Sequence, residues 1–589
     1  MCGFGSARAE IGTYDYIIVG AGTSGLVVAN RLSEDPAVSV AVIEPGTDQR
    51  NNPNVTSPDN FTKAFGTPID WNYVIVKQPG AGGRELALHQ GKAWGGTSTI
   101  NGMTYIRGDV AELNAWEDLG NSGWNWDTTL PYYKKAENYT KPNAEQTAAG
   151  VTYDPQYHGY AGAVHVGYPI TLVNGTYAPT IMATWEGLSM PLISDVNGGH
   201  VRGLSIGPET IDREQHLRYD AARAYYYPVE HRGNLKIFHG TVKRIVWSQS
   251  KSGCDDKRLV ASGVEVVAEG GATSVIQARK EVILSAGSVR TPLVLEASGV
   301  GNPRILESLG IETHINLPGV GENLIEQTNH IIGYTGTLDS SPSAYFTFAS
   351  ASDLFGPNTT TIEKSTLDTI PKWAQATVSA SPKGSLTVGA VEKLLRLQHD
   401  LIFKHNVTIA EILSIPAAGG TLFSNFWTLL PFSRGSVHLG SVDEIDKPVI
   451  DPRFFLADFD IAATTATGRL AQRFWNSDPV RGYVTGQLIP DPGVLPVNAS
   501  DKQWTTFLRE NLAANSHALG TASMMSKELG GVVDPELRVY GTANVRVVDA
   551  SVLPMQISGH LTATLYAVAE RASDIIKRTS KGERIAAQV

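Results

Sequence analysis

Three glycines near the N-terminus, Gly20, Gly22 and Gly25, have the spacing with which a backbone wraps a phosphate. Gly20 permits a tight turn, Gly22 leaves room for a pyrophosphate against the main chain, and Gly25 lets a helix pack close on a sheet. Thr23 and Ser24 stand at the start of that helix, where free N–H groups and the helix dipole favour negative charge. Glu44 closes the following apolar run, residues 38–43, where an acid accepts from ribose hydroxyls and disfavours a 2′-phosphate. These residues predict a bound dinucleotide that is not NADP. A second stretch, Gly91-Lys-Ala-Trp94-Gly95-Gly96-Thr97-Ser98-Thr-Ile-Asn101, offers adjacent glycines and hydroxyls, which suits a phosphate or a ring edge, or a plain turn. The chain has 14 histidines as possible proton acceptors. Taken singly, His89, His158, His165, His200 and His216 read as ordinary satisfied polar residues.

The elements that position these groups read as strand, glycine turn, helix, strand and acid over residues 14–44. Residues 51–70 break that pattern as a long excursion. Helices are expected over 111–119, 126–135, 219–226, 291–298, 391–406, 504–511 and 562–577. Strands at 234–238, 242–247, 261–267 and 274–278 form a β-meander. Residues 281–287 form a separate buried strand ending on glycine, and 545–551 an apolar strand with Asp549 near its carboxyl end. Residues 329–430 read as mixed. Dinucleotide-type segments thus lie at both ends and in the middle, with a second domain inserted in pieces.

At 589 residues the chain exceeds one simple core, and 42% hydrophobic with 18% charged residues describes a globular protein. A formal charge of −10 argues against nucleic acid or an anionic membrane as partner. No apolar run has the length of a membrane span. Two cysteines, Cys2 and Cys254, make no disulfide framework, and nothing suggests a metal. Sequons at Asn54, Asn60, Asn138, Asn174, Asn358, Asn406 and Asn498, mostly in expected loops, favour a secreted glycoprotein, although the N-terminus lacks an apolar signal core.

Four motifs in order carry a family resemblance over nearly the whole chain: residues 14–25 with Glu44; residues 91–101; Gly287-Ser-Val-Arg-Thr-Pro-Leu-Val-Leu-Glu-Ala-Ser-Gly-Val-Gly301; and the C-terminal block of Asn515, His517, residues 530–534 and residues 549–560. The chain resembles the glucose–methanol–choline flavoprotein oxidoreductases, and within them the fungal glucose oxidases and FAD-dependent glucose dehydrogenases. Trp94 stands where a leucine is usual. The resemblance implies an α/β fold: a doubly wound, Rossmann-type FAD domain with a β-meander, and a discontinuous α+β substrate domain with an antiparallel sheet. It assigns 13–50, 85–120, 230–328 and 525–580 to the first, and 51–84, 121–229 and 329–524 to the second.

The same resemblance implies site residues. Gly20, Gly22, Thr23, Ser24, Gly25 and Glu44 hold the ADP half of FAD, and the Val242 backbone meets the adenine. Gly95, Gly96, Thr97 and Ser98 cover the pyrophosphate and ribityl; Asn101, Gly102, Met103 and Thr104 line the flavin. Asp549 and Ala550 hold the ribityl–phosphate end, and Leu561 stands just before the final helix, whose start faces the flavin's pyrimidine edge. His517 resembles the base of alcohol oxidation, His560 the second histidine, and Glu411 the carboxylate that fixes the tautomer of His560. Trp427 and Asn515 match retained pocket residues. The sugar-binding arginine of relatives is Ala513 here, and their tyrosine falls at Phe61. Lost hydrogen-bond partners weigh heavily in such a pocket, so an alcohol less polar than glucose is expected. Oxygen or a quinone-type acceptor reoxidises the flavin, in a monomer or homodimer. The alternatives are a glucose dehydrogenase or oxidase, and an FAD-retaining non-redox cyclase of the versicolorin B synthase type acting on an aromatic polyketide.

Overall fold

Tyr16, Ile17, Ile18 and Val19 are all buried, as are Val40, Ala41, Val42 and Ile43. Unbroken apolar runs of this kind belong to parallel strands covered on both faces. The computed structural model describes residues 9–169, 175–248, 258–339, 345–417, 419–443 and 446–582; Cys2, Cys254 and the Asn174 sequon lie outside the described residues. Ala9–Val19 is central in a seven-stranded sheet. Val40–Glu44 and Leu235–His239 follow on one side, and Thr273–Leu284, Ala261–Val267 and Thr241–Trp247 on the other.

The expected strands at 274–278 and 281–287 are one 12-residue strand, Thr273–Leu284. Its first half pairs antiparallel with Ala261–Val267, and its second half runs parallel to Val545–Val547. The charged residues at 279 and 280 look like a turn in the sequence. Arg279 instead stays at the surface, 3.2 Å from Asp15 of the neighbouring strand, so the backbone continues unbroken. The next helix, Gly287–Ala297, begins four residues before its expected start and contains Pro292. Proline cannot donate to the carbonyl four residues back. The Thr521 hydroxyl takes that acceptor, donating to Ser288 O at 2.6 Å.

A second sheet carries the opposite wall of the site. Its order is Val484–Ile489, Thr328–Gly336, Thr421–Thr428, Thr408–Ala417, Tyr345–Ser350 and Gly203–Ile206, antiparallel throughout. The stretch expected as mixed therefore holds four of these strands, together with a 22-residue helix, Thr359–Ala380, whose internal Pro371 obscures it in the sequence. A third sheet joins Glu322–Leu324, Gly435–Leu439, Pro448–Asp451, Tyr73–Gln78 and Arg84–Leu88. It draws on segments of both expected domains, and the boundary expected between 84 and 85 falls inside its last strand. Of the described sequons, Asn358, Asn406 and Asn498 are exposed, whereas Asn138 lies in the strand Glu137–Tyr139 rather than in a loop. Among the described residues no helix is long and apolar enough to cross a membrane.

His330, on the strand Thr328–Gly336, is buried between Phe426 and Phe455, with ring centroids 5.6 and 6.3 Å away. Neither ring nitrogen has a partner. Burial, with a smaller contribution from the Arg84 charge, lowers its pKa to about 3. Below its ordinary value of 6.5, an unfolded chain takes up a proton here that the folded chain refuses. Stability is therefore lost as pH falls from that value toward the folded one. His330→Phe should narrow the gap in thermal midpoint between pH 7.5 and pH 4. An unchanged gap in thermal unfolding would exclude His330 as an acid-sensitive group.

Candidate active site

Gly20 leaves the first strand with φ +103°, and a Cβ there would strike the Ser285 carbonyl. Gly25 lies beneath the turn, where a Cβ would strike the Gly20 carbonyl oxygen. These two glycines are required by packing. Gly22 is different: the nearest atoms to a Cβ there are 3.9 Å away, and its φ of −82° is ordinary. Gly22 is also the N-cap of the helix Thr23–Leu32, and no side chain caps that helix. The amides of its first turn thus open onto a cavity of about 600 Å³.

That cavity runs between the first sheet and the second. Gly20, Gly22, Thr23, Ser24, Glu44, Gly96, Thr97, Ser98, Asn101, Gly102, Met103, Thr104, Val242, Asp549, Ala550 and Leu561 all line it, as do Phe61, Trp427, Asn515, His517 and His560. Four expected residues are not in its wall. Gly25 is the packing glycine just described. Gly95, with φ +103°, turns beside Asp220, Ser98 and Thr99. Ala513 is exposed on the edge pair Ala513–Ala514, and its neighbour Ala514 is the one that lines the cavity. Glu411 is fully buried behind His560.

Several lining side chains are already engaged inside the chain. Glu44 accepts from Ala21 N at 2.9 Å and Gly46 N at 2.7 Å, one with each oxygen. Asp549 accepts from Gly287 N at 2.9 Å and Thr291 Oγ1 at 2.5 Å, so it ties the C-terminal strand to the start of the helix Gly287–Ala297. Burial raises the pKa of both acids. The Ser98 hydroxyl donates to Gly95 O and accepts from Ala221 N. Arg218, which sequence reading missed, is fully buried and donates to Ser98 O and to both oxygens of Asn101. Burial lowers its pKa to about 10, well above neutrality, so it remains a cation bracing the second glycine loop.

At the far end the rings of His517 and His560 stand 5.2 Å apart, nearly perpendicular. His560 is the N-cap of the last helix, Leu561–Ser580, which has no capping side chain and no acid in its first turn. Its Nε2 donates to Glu411 Oε1 at 2.8 Å, and its backbone N–H donates to Ile106 O. Trp427 meets the His560 ring edge-on at 6.2 Å, and Phe346 does so at 6.0 Å. His517 Nδ1 lies 2.7 Å from Gln327 Oε1. Burial and the neighbouring His560 lower the His517 pKa to about 3, so its ring is neutral at any ordinary pH. Ser516 before it holds φ +61°, backbone strain of the kind found at functional sites.

The cavity lining also includes Phe61, Phe346, Leu413 and Ile415, with the amides Asn329, Asn425 and Asn515; Phe346 stands beside His560 and Asn515 beside His517. Phe346, Leu413, Ile415 and Asn425 were missed. Their period-two alternation on Tyr345–Ser350, Thr408–Ala417 and Thr421–Thr428 was the available signal. Asn515 is bonded at both ends within the chain, accepting from Asn329 Nδ2 and donating to Gln327 Oε1. Among the described residues no cluster of metal-ligating side chains occurs.

Two family models, both described as GMC oxidoreductase, match residues 14–329 and 431–569. The chain belongs to the GMC oxidoreductase family, and it is an FAD-dependent oxidoreductase acting on CH–OH donors. It is 60% identical to the glucose oxidase-like protein fsoC of Humicola fuscoatra over 572 residues, 97% of each chain. It is similar to an FAD-dependent oxidoreductase from Chaetomium thermophilum, with 30% identity, a TM-score of 0.85, and 96% of this chain and 100% of that one covered. A fungal aryl-alcohol oxidase matches at 26% identity and a TM-score of 0.83, over 96% and 99% of the two chains.

The residues present fit FAD. Gly22 and Gly102 both line the cavity, and a Cβ on either would find no protein atom within 3.8 Å. Packing does not ask for glycine at these positions, whereas a cofactor lying against the backbone does.

Proposed function

We propose that the chain oxidises a CH–OH group of a substrate less polar than glucose, with His517 taking the hydroxyl proton. The observation that carries this reading is the pairing of His517 and His560 at one end of the glycine-lined cavity. FAD bound there supplies the hydride acceptor at N5. Gly20, Gly22, Thr23, Ser24 and Glu44 hold its ADP half, Gly96, Thr97, Asp549 and Ala550 its middle, and Asn101, Gly102, Met103 and Thr104 its ring.

The substrate O–H donates to the ring nitrogen of His517 that faces the cavity. As the carbon loses hydride, that proton moves onto His517. Its low pKa keeps the lone pair available beforehand. Glu411 holds His560 Nε2–H and so fixes the tautomer and orientation of that ring. The uncapped start of Leu561–Ser580 favours negative charge developing nearby. Glu411 acts through His560 and is a positioning residue. Glu411→Gln should slow flavin reduction about tenfold, part of what a positioned acid–base group contributes, with FAD content unchanged. Wild-type stopped-flow rates in that variant would remove Glu411 from the reading.

A less polar substrate is supported by Phe61, Phe346, Leu413, Ile415 and Trp427 in the wall, and by Asn515 being bonded inside the protein. The test is anaerobic mixing with aryl, alicyclic and sugar alcohols while following flavin absorbance. Bleaching by an apolar alcohol at concentrations where glucose is silent is the expected result. Faster bleaching by glucose would return the chain to sugar oxidation. No bleaching, with ring closure of a polyketide hemiacetal precursor, would replace the redox reading with the cyclase. Reoxidation in air against reoxidation by a quinone then identifies the acceptor.

A further inference from the structure

We infer that Gln327 is the positioning residue that sets the tautomer of His517, holding the proton on Nδ1 and leaving Nε2 as the acceptor. This rests on the reading of His517 as base. Gln327 is buried, on the segment between Glu322–Leu324 and Thr328–Gly336. Its Nε2 donates to Leu429 O at 2.8 Å. A carbonyl can only accept, so the amide cannot turn over: Oε1 must be the end that faces His517. Oε1 lies 2.7 Å from Nδ1 and is itself only an acceptor. The proton between them therefore belongs to the imidazole. A bare Nδ1 would set two lone pairs against each other at that distance.

Asn515 Nδ2 lies 3.1 Å from both Gln327 Oε1 and His517 Nδ1, and Asn515 is fixed in turn by Asn329 Nδ2 at 2.8 Å. The Nδ1–Oε1 contact is the shorter at 2.7 Å and would be repulsive without a proton, so Nδ1 carries the proton and the Asn515 N–H goes to Oε1. Glu326 Oε1 accepts from the backbone N–H of both His517 and Gln327, at 3.0 Å each. Gln556 Nε2 donates to His517 O at 2.9 Å. Backbone and ring are thus gripped by adjacent residues, and Nε2 alone has no partner among the described residues. The titratable groups around His517 are His560 across the cavity, Glu411 behind it, Glu326 under the backbone, and His89, whose N–H donates to Ser516 Oγ and whose ring is held by Asp70. Where a carboxylate would hold the imidazole, this chain uses a neutral amide. The amide orders the ring without adding a negative charge that would favour imidazolium.

The test uses the FAD-loaded protein labelled with ¹⁵N-histidine, with His517→Ala to assign the resonance. Wild-type His517 should show the Nδ1-protonated tautomer. Gln327→Met, of similar size without the acceptor, should shift His517 toward Nε2–H and slow anaerobic flavin reduction by about 10- to 100-fold, short of removing the base altogether. Gln327→Glu keeps the acceptor and adds a charge. It should retain Nδ1–H while moving the acid limb of the reduction rate to higher pH by roughly one unit or more. An Nε2–H tautomer in wild type, or an unmoved tautomer in Gln327→Met, overturns the assignment. If Gln327→Met fails to fold, an unmoved acid limb in Gln327→Glu overturns it. A shifted tautomer with an unchanged rate supports the assignment and instead overturns His517 as the base.

Discussion

His517→Ala is expected to slow anaerobic flavin reduction by roughly 10³-fold, the contribution of a well-placed general base, while the protein keeps its FAD. The size follows from how little else could take the proton. His560 is the nearest alternative, 5.2 Å away ring to ring, and with its Nε2–H held by Glu411 only its Nδ1 could stand in. Asn329, Asn425 and Asn515 line the same cavity, but an amide is not a base at neutral pH. The loss should fall on the reduction step rather than on cofactor content, because the His517 ring is anchored from behind by Gln327 and lines only the substrate end. Stopped-flow reduction with the best alcohol, beside the flavin-to-protein absorbance ratio, checks both halves. Reduction within about tenfold of wild type would mean the proton leaves by another route.

Gly22→Ala should fold and yet lose FAD, with flavin affinity falling by about tenfold or more as the added methyl meets the pyrophosphate. The glycines of one turn separate the two effects. At Gly22 the new Cβ has no protein atom nearer than 3.9 Å and an ordinary φ, so the apo chain feels little. At Gly25 the same substitution drives a Cβ into the Gly20 carbonyl, so Gly25→Ala should fail to fold whether or not FAD is supplied. Thermal unfolding of both apo variants, and flavin content after loading, distinguish them. Gly22→Ala with full flavin and an unchanged dissociation constant would show that the pyrophosphate does not lie against this turn.

Much of the cofactor half was legible because its demands are local. A strand, three glycines, a helix start and an acid lie within residues 14–44, and each part has a backbone reason visible in the residue type. The substrate half was read less well. The helix Thr359–Ala380 was missed there. In the cofactor half the error was smaller: the two halves of one strand, Thr273–Leu284, read as separate pieces. In both cases a proline or a charged pair mimicked a break that tertiary contacts override.

Contiguous motifs were enough to reveal the family and its FAD and to nominate His517 and His560, because those signals are local in the chain. Only the tertiary structure decided what surrounds them. Ala513 is exposed while its neighbour Ala514 lines the cavity, a choice of one position that sequence alignment to a motif does not make. Gln327 has no motif at all. It meets His517 from 190 positions away because two strands and a loop converge there, and the proton on that ring is set by where one amide is pinned. Geometry of that kind depends on register and packing between distant segments, which residue types and local spacing do not encode.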